Sequence, residues 1–185
     1  MRRCGAANRC LPQFAEQKSK RGSPEMTSAD LHQDMIVVDG LIISKFSRAV
    51  FEDMRKGGLT AANCTCSVWE NFEATMRNIA RWNRFFVDHK ELITPVRQIG
   101  DIRRAKAEGK TGIILGFQNV SAFEDQIGYI KLFKDCGVGI VQMAYNTQNL
   151  CATGCYESMD RGLSDFGHEV VAEMNRVGVI SSLYS

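Results

Sequence analysis

Histidine is scarce in this chain of 185 residues: there are three, at positions 32, 89 and 168. No two of them share the spacing that sets a metal-binding pair on one helix face. Nor is there an apolar run of the roughly 18 or more residues that a membrane-spanning helix requires. Internal repeats and low-complexity tracts are missing as well. Net charge is small, formally +2, and unevenly placed. Residues 1–25 hold six Lys/Arg against Glu16 and Glu25, whereas the remaining 160 residues hold 17 basic and 19 acidic groups. The main body is therefore slightly acidic and offers nucleic acid no basic face.

What is present suits one globular domain. With 44% hydrophobic and 24% charged residues, a chain of this length buries a substantial core. Seven cysteines is an odd count. Cys4 and Cys10 lie in the basic leader. Cys64 and Cys66 fall inside an apolar strand pattern, where an in-strand pair rarely shares a ligand or a bridge. Cys151 and Cys155 have a zinc-like spacing without a second Cys/His pair. Reduced thiols in a cytoplasmic protein are the expectation. The leader, residues 1–25, lacks the apolar core of a secretory signal and is expected to be disordered. Its arginines resemble a transit peptide. An over-extended start is the other reading, since Met26 opens TSADLHQD, a helix start with Ser28 as cap and Asp30 in the first turn.

From there strands and helices alternate. Buried strands are expected over 35–43, 59–68, 111–120, 138–146 and 177–185. Helices are expected over 47–58, 69–92, 99–110, 121–137 and 165–177. The helix at 69–92 carries an inner stripe of Phe72, Met76, Ile79, Trp82/Asn83 and Phe86. Ser121 and Glu124 have the capping-box spacing at the head of 121–137. Such alternation predicts an α/β protein with a parallel sheet and right-handed crossovers, its chemistry at the strand C-terminal ends.

The third strand ends on Gln118 and Asn119, two amides that need partners where a buried strand emerges. Tyr145, Asn146, Gln148 and Asn149 follow the fourth strand at the same rim. Gln118, Asn119, Tyr145 and Asn146 are the candidate site residues, lining a cleft or merely bonding the loops. Glu124 and Asp125 look like an acid pair but suit a helix first turn, and His168 reads as a surface residue.

Three stretches are similar to the membrane dipeptidases, also called renal dipeptidases. GLSDFGHEVVAEMNRVGVI (162–180) resembles the family's run before its fifth strand. YNTQNLCATGCYE (145–157) resembles the preceding loop, and SKFSRAVFEDMRKGGLTAANCT (44–65) the first helix and second strand. The resemblance covers roughly residues 30 to 180. It implies an incomplete TIM (β/α)8 barrel of the metal-dependent hydrolase type, with about five βα units present. It also implies zinc as cofactor, a dipeptide or small amide as substrate, and a homo-oligomeric full-length form in the bacterial cytoplasm.

The family's zinc ligands do not carry over. Its first strand ends Asp-Gly-His-Asn-Asp, and here Asp39-Gly40 is followed by Leu41-Ile42-Ile43, so Leu41 and Ile43 replace both ligands. Gln118 stands where the family has a metal-bridging glutamate, and Tyr145 where a histidine often contacts substrate. A bacterial subgroup has a similar Asp-Gly-Leu-Ile-Ile and Gly-Phe-Gln-Asn pattern, so these replacements read as subgroup features. The family's Asp-Leu-Ser-His becomes Ser182-Leu183-Tyr184-Ser185, which reads as a clipped or frameshifted end. The expectation is a dipeptidase-like metallohydrolase, inactive as this chain alone. The alternative is a non-catalytic scaffold or binding protein that has lost the metal site.

Overall fold

The structure is a computed structural model that describes residues 26–182. The expectations for the leader, Cys4, Cys10 and residues 183–185 lie outside the described residues. Helix α1 (Ser28–Asp34) comes first. Its cap is Thr27, one residue before the expected Ser28: the Thr27 hydroxyl accepts from the Asp30 amide, and Asp30 accepts from the Thr27 amide. Then follow β1 (Val38–Ile42), α2 (Arg48–Lys56), β2 (Ala61–Ser67), α3 (Phe72–Asp88), β3 (Ile93–Pro95) and α4 (Ile99–Ala107). The chain continues through β4 (Thr111–Phe117), a 3-10 turn (Val120–Phe123), α5 (Gly128–Asp135), β5 (Val138–Gln142), α6 (Asp165–Val177) and β6 (Ile180–Ser182).

All pairings between these strands are parallel, in the order β1-β2-β4-β5-β6. The short β3 pairs with the first half of β4, on the edge that β5 takes up further along. This is the α/β parallel sheet the alternation predicted, in the form the resemblance implied: a half-barrel, a partial TIM-like barrel. Paired residues of neighbouring strands point to one side of the sheet. Ala62, Cys64, Ile113, Leu115, Val138 and Val141 face the helices and join Phe51, Trp82, Phe133 and Met174 in one core. Trp82 is central to an aromatic group with Phe46, Phe51 and Phe85. The other, concave face carries Asn63, Thr65, Gly116, Gln142 and Ser182.

Several boundaries differ from the sequence expectations. The helix expected over 121–137 is split into the 3-10 turn and α5. Asn119 caps that turn, and Glu124 takes a left-handed φ of 52° instead of sitting in a helical first turn. Its carboxylate instead accepts the Phe72 amide at the start of α3 at 3.1 Å. The strand β3 has no counterpart in the expectations, because three residues hold no readable alternation. On α3 Ile79 and Trp82 are buried as predicted, whereas Asn83 is exposed. The strand expected over 138–146 ends at Gln142, so Tyr145 and Asn146 belong to the loop.

Candidate functional site

The C-terminal ends of β2 and β4 build the site. In β2 the run Ala61–Ser67 is small and almost wholly buried. A Cβ on Gly116 would lie 2.0 Å from Asn63 Oδ1, which leaves glycine alone compatible with the Asn63 carboxamide there. Asn63 Nδ2 donates to the Gly40 carbonyl at 2.9 Å and fixes the amide, while its Oδ1 is buried without a partner. Asn63, Leu41, Gln142 and Ser182 line a concave pocket of about 330 Å³. Asn63 and Gln142 were missed in the sequence, although a polar residue inside the run AANCTCS was the available signal.

Gln118 stands one residue past β4 and is buried. Its Nε2 donates to Thr65 Oγ1 at 2.7 Å, and its backbone amide donates to the Ser67 carbonyl at 2.9 Å. Asn119 is buried beside it but turns to loop bonding. Its Oδ1 accepts from the Val120 amide and from Asn149 Nδ2, while its Nδ2 has no partner. Asn149 in turn donates to the Met143 carbonyl and accepts from the amides of Cys151 and Ala152. Tyr145 is half-buried and meets Trp69 edge-on, ring centroids 5.4 Å apart. Asn146 has a left-handed φ of 63°, and its carbonyl accepts from the Tyr156 amide. The structure thus joins Gln118 to Thr65, Asn119 to Asn149, Tyr145 to Trp69, and Asn146 to the 154–156 turn.

The metal question turns on donor chemistry. Leu41 and Ile43 are exposed aliphatics with no lone pair to give. Gln118 offers a cation a neutral dipole and no charge. Among the described residues no three His, Cys, Asp or Glu side chains stand together to hold an ion. The histidines are spread out: His32 bonds the Gly57 carbonyl, His89 packs on Phe51, and His168 is exposed on α6. Buried Cys64 and Cys66 are pushed up to about 12, chiefly by burial, and remain neutral thiols at neutral pH. The residues present do not fit a zinc centre.

Comparison with known proteins places this geometry. The sequence pattern of the membrane dipeptidases, peptidase family M19, matches residues 27–183. This chain belongs to the membrane dipeptidase family. An amidohydrolase structure from Pseudomonas aeruginosa is 65% identical, with a TM-score of 0.82 over 84% of this chain and 47% of its own. A metallopeptidase from Rhodobacter sphaeroides, liganded with a phosphinate mimic of the dipeptide L-Ala-D-Ala, shares the fold. It is 13% identical with a TM-score of 0.66, over 80% of this chain and 58% of that one. An uncharacterized dipeptidase of Schizosaccharomyces pombe is 27% identical over 120 residues, 62% of this chain and 27% of that protein. The chain spans about half the length of these solved relatives and about a quarter of the curated one. The membrane dipeptidases are a family of metallopeptidases, and the resemblance read from residues 44–65, 145–157 and 162–180 agrees with the match. No helix among the described residues is long and apolar enough to cross a membrane.

Proposed function

We propose that this chain forms one wall of a dipeptidase-type hydrolase cleft, in which the peptide bond of a dipeptide or related small amide is cleaved. Family membership supports the reaction class. The observation that carries the wall's role is the Gln118–Thr65 pair at the C-terminal rim of β4 and β2. One Gln118 N–H is committed to Thr65, leaving the carboxamide oxygen without a hydrogen bond among the described residues. That oxygen orients a donor on the substrate or a water. Tyr145 and Asn146 line the far side of the rim, and Asn119 anchors the loop that carries them. Zinc, the family expectation, finds no ligand set among the described residues; the role proposed for Gln118, Tyr145 and Asn146 is to bind and orient substrate.

The test uses Gln118→Glu in a full-length version of the protein. A carboxylate at the bridging position changes metal stoichiometry, read by elemental analysis, and turnover changes with it. Unchanged metal content and unchanged turnover would show that Gln118 is misplaced in this scheme. The 185-residue chain itself is expected to hydrolyse no alanyl-alanine with zinc added; zinc-dependent hydrolysis by the pure chain contradicts that. The lack of any three metal-capable side chains together among the described residues favours a second reading, a non-catalytic binding protein. A full-length protein free of metal as isolated, and unable to take it up, supports that reading only.

A further inference from the structure

We propose that a second pocket on the same rim binds a small carboxylate through Lys45 and Arg81. The pocket, about 370 Å³, lies between the segment after β1, the end of β2 and α3. That volume is within the range of small-molecule sites. Phe46, Trp82 and Phe85 give its lining aromatic surface, and Lys45 and Arg81 give it positive charge. Neither cation makes an ion pair among the described residues.

Glu70, the carboxylate on the pocket wall, is already committed. Its Oε2 accepts from the amides of Val68 at 2.7 Å and Trp69 at 3.0 Å, with the Ser67 hydroxyl at 3.4 Å. Burial works to raise its pKa, but the amides of Val68, Glu70 and Trp69 together outweigh it and hold the carboxyl below its ordinary value. Glu70 thus stays an anion held by the turn; it forms no ion pair with Lys45 or Arg81, and the lining carries two positive charges against its one negative. Two unpaired cations beside aromatic surface, outweighing the single Glu70 charge, attract an anion with an apolar body. Cys66 adds no chemistry, because its thiol stays protonated.

Thr65 links the pocket to the candidate site: it lines the pocket, and its hydroxyl accepts the hydrogen bond from Gln118. Resting on the hydrolase reading, the carboxylate is then the substrate's own, from its C-terminus or from an acidic side chain.

Titration of the full chain followed by tryptophan fluorescence, with Trp82 in the pocket, tests this. Three probes differ only in carboxylates: alanyl-glutamine amide with none, alanyl-glutamine with the C-terminal one, and alanyl-glutamate amide with the side-chain one. One carboxylate peptide binds about tenfold tighter than the amide without a carboxylate, as two exposed charge contacts allow. The peptide that does so names the source. Lys45→Gln and Arg81→Gln each remove about threefold of that preference, and the double variant abolishes it. Arg81→Lys retains most of it. Both side chains are exposed, so folding is not at stake. Equal binding of all three probes, no binding of any, or a preference that survives the double variant overturns the proposal. Hydrolysis is followed in parallel with a full-length version. Carboxylate-selective binding without turnover leaves the pocket standing and removes only the hydrolase reading.

Discussion

Single atoms decide much at the rim. Gly116 leaves room for the Asn63 carboxamide, and a methyl group there meets its oxygen head-on. Gly116→Ala should destabilise the chain by about 1–3 kcal/mol, the usual cost of overpacking, read as a lowered urea midpoint. Asp101 acts at the foot of α4, where it accepts from the amides of Arg97 at 2.8 Å and Gln98 at 3.1 Å. The Arg97 amide lowers its pKa most, burial opposes, and the Gln98 amide and the Arg104 charge lower it further. A carboxyl held below its ordinary 3.8 stabilises the fold above that pH and loses the contribution as pH falls through the depressed value. Asp101→Asn is therefore less stable near neutral pH, and its unfolding midpoint falls less steeply than wild type as the solution is acidified below about pH 4.

Among the elements, the loop from β5 to α6 depends on Asn149, whose carboxamide makes four hydrogen bonds. Asn149→Ala should lower stability by roughly 1–3 kcal/mol, with hydrogen exchange accelerating across 143–152. Sequence pattern was sufficient where an element carried its own signals. For α6, Ser164 caps the start, Gly178 takes the left-handed turn at the end, and the bounds fall where the periodicity set them. Pattern was insufficient where a distant partner decides the geometry. Glu124 has the spacing of a capping box with Ser121, yet it bonds the amide of Phe72, 52 residues away. In the same way the amide ends of β4 were legible as a place of interest, but Gln118 and Asn119 part company only in three dimensions. One turns to Thr65 and the other to Asn149, and no spacing within the run GFQN distinguishes them. Asn63 escaped notice because its partner is the Gly40 carbonyl, 23 residues away in another strand.

For the whole molecule, membership in a metallopeptidase family and the donor set of the described residues pull apart. The concave face carries amides, hydroxyls and exposed aliphatics such as Leu41 and Ile180 where a zinc pair needs carboxylate and imidazole. A ligand that binds only the folded state raises the melting temperature by mass action. Zinc added to the 185-residue chain should leave its thermal midpoint unchanged. A rise that saturates at one or two equivalents would reveal a site these residues do not predict. The excursion after β5 gives the fold another property. Its two ends are stitched together by the Ala152–Leu163 bridge, by the Ser164 amide on the Cys151 carbonyl, and by the Ser164 hydroxyl on the Leu150 carbonyl. Gly167 seats α6 so close to the Cys151 carbonyl that a Cβ would lie 2.1 Å from it. Covalent continuity at the exposed tip is therefore dispensable: a trypsin nick after Arg161 should leave two fragments that co-migrate as one native particle and separate only in denaturant.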